Sequence, residues 1–175
     1  MKHKITNDTI KAELKKIFIH DIIKYSLLFV LCVSYFTLYF LNPQSNLYNQ
    51  RIIFLLMIPL IIYFMVLSII YFLKAIKGYN LVKNNNFDII TDVLVDKTKK
   101  ASLSRYKGYH YTYTFIFEKT GVFKIEKKIF DVSNPYVMNN EKFYESSEIY
   151  DEFYVVSVAR KNMLAYNSKY FEVLR

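Results

Sequence analysis

Residues 52–73 read IIFLLMIPLIIYFMVLSIIYFL, an unbroken run without a charge, and this stretch decides the fold. A bilayer core asks for about 20 apolar helical residues at about 1.5 Å rise each. The run has that length, and it lacks the polar face that a soluble helix turns to water. A second such run lies upstream. No charged residue occurs over 25–50, and residues 25–41 read YSLLFVLCVSYFTLYFL. Counting Ile22 and Ile23, with Lys24 reaching back to the interface, this run also spans a bilayer. The pair predicts a transmembrane helical hairpin: one helix over 22–41, a loop over 42–51 and a second helix over 52–73. A cleaved leader fits the first run poorly, because no small-residue cleavage site follows it and a second span comes directly after.

The rest of the composition agrees with a membrane protein that carries a folded module. Of 175 residues, 53% are hydrophobic and 18% aromatic, which excludes a disordered chain. One Cys cannot form an internal disulfide, and three Gly with three Pro exclude collagen-like or Pro/Gly-rich repeats. The net charge of +9 is concentrated around the spans. Residues 1–24 hold six Lys against Asp8, Glu13 and Asp21; residues 74–86 hold Lys74, Lys77 and Lys83 without an acid; the loop carries Arg51 alone. Lys- and Arg-rich flanks stay in the cytoplasm. The expected location is the cell membrane, with two spans, both termini cytoplasmic and the 42–51 loop outside.

Residues 1–21 read as an amphipathic cytoplasmic helix starting near Ile10, capped by Asn7, Asp8 or Thr9. Ile10, Leu14, Ile17 and Phe18 share one face. Such a helix either lies on an anionic leaflet or extends the first membrane helix into the cytosol and packs on the C-terminal domain. Within the spans no carboxylate, His or Arg occurs, which argues against an ion or proton pathway in this chain alone. Pro59 predicts a kink without mechanism, and Cys32 reads as a small packing residue.

After Leu73 the pattern changes. Residues 74–86, KAIKGYNLVKNNN, form a basic connector whose Asn run reads as a turn. Residues 87–175 then show alternation with a period of two. Over 87–96 the expected core side is Phe87, Ile89, Thr91, Val93 and Val95, with Asp88, Ile90, Asp92, Leu94 and Asp96 outward. Residues 97–108 read as a polar loop. Residues 109–118, YHYTYTFIFE, are the clearest strand, with Tyr109, Tyr111, Tyr113, Phe115 and Phe117 on one face. EKTG at 118–121 predicts a hairpin turn with Gly121 at positive φ, and 122–130 returns as its partner strand. Residues 131–140 read as irregular. Further strands are expected at 152–159, 163–166 and 170–174, with a turn at 160–162. The fold class expected is therefore membrane α plus soluble β: a two-helix hairpin followed by a small antiparallel β-barrel or sandwich of about five strands.

The stretch SEIYDEFYVVSV at 147–158, followed by AYNSKYFEV at 165–173, resembles the end of a small β domain found in uncharacterised bacterial membrane proteins. There an x-G-D-x-Y-x-V turn enters a strand, and a Y-N-x-K-x-(F/Y)-E tail closes the module. Tyr150 stands where that pattern carries Gly. The resemblance covers about residues 85–175. It implies a membrane-tethered β-barrel-like domain behind an N-terminal two-helix hairpin, and it implies no activity.

Candidate sites are few. KGYHYTYTF at 107–115 partly matches an RNA-reading strand, but a net +2 from 14 basic and 12 acidic residues over 87–175 is a weak phosphate footprint. Nucleic acid is not an expected partner. Glu141, Glu145, Glu148 and Glu152 fall at helical spacing, which would make an acidic face or a divalent-cation site. Three His and one Cys build no common zinc site. No phosphate loop or nucleophile triad is present, so neither a cofactor nor enzymatic activity is expected. The residues singled out as an interaction surface are Tyr109, Tyr111, Tyr113, Glu141, Glu145 and Glu148. The expected function is a membrane-tethered β module for protein interaction or regulation. Its expected partners are the lipid bilayer and either a protein or a second copy bound through the hairpin. The alternatives are an accessory subunit of a transporter or channel and, behind it, a membrane-anchored hydrolase using the acidic run.

Overall fold

The computed structural model describes residues 2–41, 48–104, 108–125 and 140–174. The chain divides into two compact units, and the division differs from the one expected. One unit joins Met1–Ile10 to Asn86–Arg175; the other is Lys11–Asn85. The hairpin is thus an insertion into a β module, between its first strand and the rest.

In the helical unit, α1 (Asn7–Leu41) and α2 (Tyr48–Lys83) are both continuous. The expected break between an N-terminal helix and the first span is absent: α1 runs through, so the extension reading holds for the backbone. The expected connector over 74–86 is likewise mostly the last turns of α2. At about 1.5 Å per residue the 35 residues of α1 reach about 52 Å, well beyond an apolar core of about 30 Å. Both helices are long and apolar enough to cross a membrane. Pro59 lies inside α2 without ending it. Residues 42–47 of the expected outer loop lie outside the described residues.

The helices meet along a heptad seam. Lys11 Nζ donates to Asn85 Oδ1 at 2.5 Å. One heptad on, the Phe18 ring lies against Gly78, where a Cβ would fall under 3.0 Å from it. One heptad further, Tyr25 and Tyr71 stack at 5.2 Å between centroids. Each step of seven up α1 is matched by seven back along α2, the register of an antiparallel pair. Leu14, Phe18 and Cys32 on α1, and Ser68, Ala75, Gly78 and Val82 on α2, hold seam positions and are buried. Small residues on α2 let the larger side chains of α1 approach its backbone. Asn85, at φ 58°, ends α2 in the left-handed conformation, so the Asn run is a turn as read. At the other end Thr6, not Asn7, Asp8 or Thr9, caps α1: its Oγ1 accepts from the Thr9 N–H at 3.3 Å.

The β unit holds β1 (His3–Thr6), β2 (Asp88–Ser104), β3 (Gly108–Phe117), β4 (Gly121–Ile125), a short α3 (Asn140–Ser146), β5 (Glu152–Val158), β6 (Lys161–Asn167) and β7 (Phe171–Leu174). Five strands form a curled antiparallel sheet in the order β4-β3-β2-β5-β6, a half-barrel, as the strand pattern predicts. β1 and β7 make a separate parallel pair, His3 opposite Phe171 through Thr6 opposite Leu174. β1 was not legible as a strand.

Two expectations for β2 are overturned. Its inward side is Asp92 and Leu94, at 1% and 0% exposure, while Val95 is exposed. The expected parity fails only around Asp92–Val95, where apolar type misleads; Phe87 and Ile89 are half-buried and Asp88 and Ile90 exposed, as expected. The register also shifts between Leu94 and Asp96. That bulge at Val95 inserts one residue and switches the inward set from even to odd positions. Beyond it, the expected polar loop over 97–108 is strand as far as Ser104, paired with β3 from Asp96 opposite Ile116 to Ser104 opposite Gly108. The core is Leu94, Phe115, Phe117, Phe123, Phe153 and Val155, with Phe143 and Tyr144 of α3 packed on it. Its rings meet edge to face, Phe117 and Phe153 at 5.2 Å. Across the open side of the curl, Asn162 of β6 donates from Nδ2 to the carbonyls of Thr120 (2.9 Å) and Val122 (3.3 Å) beside and in β4. This side chain ties the two sheet edges in place of a backbone ladder.

Candidate functional site

The described tyrosines of the β3 stripe divide between core and surface. Tyr113 is buried and packs on Tyr144 at 5.1 Å, continuing the phenylalanine core. Tyr111, two residues toward the strand's start, is 41% exposed. The Tyr109 side chain lies outside the described residues. The Lys99 ammonium sits 4.4 Å from the Tyr111 centroid and 5.5 Å from that of Tyr113, so a cation covers the rim of the aromatic face. Lys97, one inward position earlier, donates to the carbonyls of Tyr144 (3.0 Å) and Ser147 (2.6 Å) and lies over the Tyr144 ring. It holds the C-terminal end of α3, where unpaired carbonyls favour a cation.

The acidic run does not assemble. Helical spacing fails because α3 ends at Ser146. Glu145 is exposed on α3, Glu148 lies in the following loop and Glu152 opens β5. The Glu141 side chain lies outside the described residues. Among the described residues no group of three His, Cys, Asp or Glu could hold a metal ion. Of the six residues singled out, the described four are therefore scattered over a core position, its rim, a helix surface and a loop.

The carboxylates that the fold does use were missed. Asp151 is 6% exposed. Its Oδ2 accepts from the Glu148 N–H at 3.0 Å and from Asn167 Nδ2 at 2.8 Å; Lys169 Nζ pairs with its Oδ1 at 2.7 Å and with Glu148 at 2.9 Å. Burial pushes the Asp151 pKa up, but the Glu148 N–H, Lys169 and Asn167 together outweigh it and hold the carboxyl below its usual range. Lys169 is held above its ordinary value by the same two carboxylates. The aspartate of the 150–155 turn and the Asn and Lys of the 166–172 tail, the motifs on which the resemblance rested, thus form one cluster. Tyr150, in the glycine position of that turn, adopts φ 73°.

Asp92 does comparable work close by, two residues before Leu94, whose N–H donates to the Asp151 carbonyl at 2.9 Å. The Asp92 carboxylate accepts from the N–H groups of Thr120 (2.7 Å) and Lys119 (3.1 Å), closing the β3–β4 turn, and from Val93 (2.8 Å). Burial raises its pKa and the N–H donors more than reverse that, leaving it lowered. Both nodes organise turns. The sequence signal for Asp92 was an aspartate amid a hydrophobic strand, which reads as outward unless its donors are known; Asp151 stands in the turn before β5. Comparison with protein-family models, with curated proteins and with solved structures found no match to this chain.

Proposed function

We propose that the chain is an integral membrane protein whose helical hairpin anchors a β module that binds a protein partner or regulates one. The observation that carries this reading is where the apolar side chains of the two helices point: only 6% of each span-length apolar window is buried. Leu27, Val30 and Leu31 on α1, and Leu55, Leu56 and Leu60 on α2, are exposed. Surface of that kind and extent asks for lipid. The Lys-rich flanks support a cytoplasmic location for both termini. On the module, the exposed neighbours Ile149 and Tyr150, at 46% and 79%, support docking of a protein.

The anchor is tested by alkaline extraction of membranes, in which the full chain is expected to stay with the pellet. Orientation is tested with Asn46→Cys in a Cys32→Ser background. An impermeant maleimide added to intact cells is expected to label it, and labelling only after lysis would reverse the topology. A photo-crosslinker at Tyr150 is expected to capture a protein, and the same group at Leu60 to capture lipid.

A further inference from the structure

Lys24 and Lys74 bound the two charge-free runs at the same end of the hairpin. Beside them Tyr25 of α1 and Tyr71 of α2 stack across the seam, 5.2 Å between centroids and 17° between planes. The Lys24 ammonium lies 5.3 Å from the Tyr25 centroid, and the Lys74 ammonium 5.4 Å from that of Tyr71. Helical geometry puts the two lysines together. One residue back from Tyr25, and three residues on from Tyr71 along the antiparallel helix, each turn at about 100° per residue to the same side of the pair. Both lysines are exposed, and among the described residues neither ammonium has a hydrogen-bond or ion-pair partner. Lys77, also exposed, adds a third cation about one turn beyond Lys74. The one acid over 20–25 and 71–77 is Asp21, whose carboxylate lies 3.9 Å from His20 Nδ1. On the other side of the pair the same turn angles place Ile22, Ser26, Phe72 and Ile76, none of them charged.

From this arrangement we infer that Lys24, Tyr25, Tyr71 and Lys74 form a binding site for the headgroup phosphate of an anionic phospholipid, in the leaflet at this end of the hairpin. Two ammoniums on one side offer charge-assisted donors to the phosphate oxygens. The stacked rings add an apolar wall at the depth where headgroup gives way to acyl chain. A choline or ethanolamine cation fits this site poorly. Each ring already has a lysine against it, and the two ammoniums repel a further cation. An anionic lipid brings the phosphate without that cation. Diffuse attraction between basic flanks and an anionic leaflet needs no such pairing. A lipid held here touches both helices at once, across their seam. The inference rests on membrane anchoring by the hairpin.

The test uses the full chain. Incorporation into phosphatidylcholine nanodiscs checks the anchor separately, and failure there would overturn the anchoring reading and the site with it. The site is read by native mass spectrometry in detergent micelles that carry equal amounts of phosphatidylglycerol and phosphatidylcholine with the same acyl chains. The chain is expected to retain phosphatidylglycerol over phosphatidylcholine by about fivefold or more. Lys24→Gln with Lys74→Gln is expected to bring the ratio close to one. Lys16→Gln with Lys83→Gln removes the same charge from exposed positions elsewhere on the helices and should leave the ratio unchanged. Tyr25→Leu with Tyr71→Leu keeps both charges and should lower the ratio by about twofold. Equal retention of the two lipids by a chain that enters nanodiscs would overturn the inference alone. So would an equal loss in the two lysine pairs, which would assign the preference to diffuse charge. Displacement of the lipid by millimolar inorganic phosphate at constant ionic strength would also overturn it, assigning the site to a soluble phosphate.

Discussion

Tyr150 stands at φ 73° with 79% of its surface exposed, and Ala159 and Arg160 follow at 50° and 66°. With three glycines in the whole chain, tight turns here are built from residues that resist the left-handed region. Ala159 and Arg160 are the two loop residues of the β5–β6 hairpin, both at positive φ, where Asn-Gly is preferred. Tyr150→Gly is expected to stabilise the module by about 0.5–1 kcal/mol, and Ala159→Asn with Arg160→Gly by about 1–2 kcal/mol, read from urea midpoints. Asp151→Ala is expected to cost about 1–3 kcal/mol, because it leaves the fully buried Asn167 amide without its acceptor. Asp92 and Asp151 are both held below 3.8 in the fold. Protonation then favours the unfolded chain: their stabilisation is complete above the unfolded value and is lost as pH falls through the lower folded values. Acid melting should therefore set in below about pH 4, and Asp151→Asn should flatten the profile.

At the scale of elements, legibility tracked how local the signal was. The two long helices and the sheet's strand count were readable because long apolar runs and a period of two need no knowledge of partners. The inward face of β2 was not, since it depends on a bulge at Val95 and on backbone donors from 119 and 120. β1 was missed because HKIT is four residues long with two of them basic or titratable, and only pairing with β7 makes it a strand. The acidic run failed as a site because α3 stops one turn too early. The heptad seam is legible in retrospect from Ser68, Ala75, Gly78 and Val82 on α2. It makes a direct prediction. In a Cys32→Ser background, Tyr25→Cys with Tyr71→Cys is expected to be joined by a short thiol-specific cross-linker, because the two side chains meet across the seam. Tyr25→Cys with Ile69→Cys should not, as Ile69 lies about half a turn away; cross-linking at 69 but not 71 would refute the register. Gly78→Leu, which drives a side chain into the Phe18 ring, should abolish the bridge.

At the scale of the whole molecule, the β module is discontinuous in sequence: residues 1–10 and 86–175 fold as one unit around an inserted hairpin. Chain excision at residue 87, the boundary that composition alone would choose, removes β1 and leaves β7 without its only partner strand among the described residues. It also removes Ile5, 6% exposed, and the contact of His3 with the Phe171 ring at 6.0 Å. The insertion points themselves are close, since Lys11 and Asn85 are bonded to each other through their side chains. A short Gly/Ser loop should therefore span the gap that the hairpin fills. Residues 1–10 joined by such a loop to 86–175 are expected to fold as a soluble domain. The same chain without residues 1–10 should be less stable by about 2 kcal/mol or more, from the burial of Ile5 alone. Denaturant midpoints of the two proteins decide the matter. Equal midpoints would mean that β1 adds nothing to the module and that the hairpin is a prefix to it; a gap of the expected size means that the module is closed through its own N-terminus, with the apolar helices inserted between β1 and the rest.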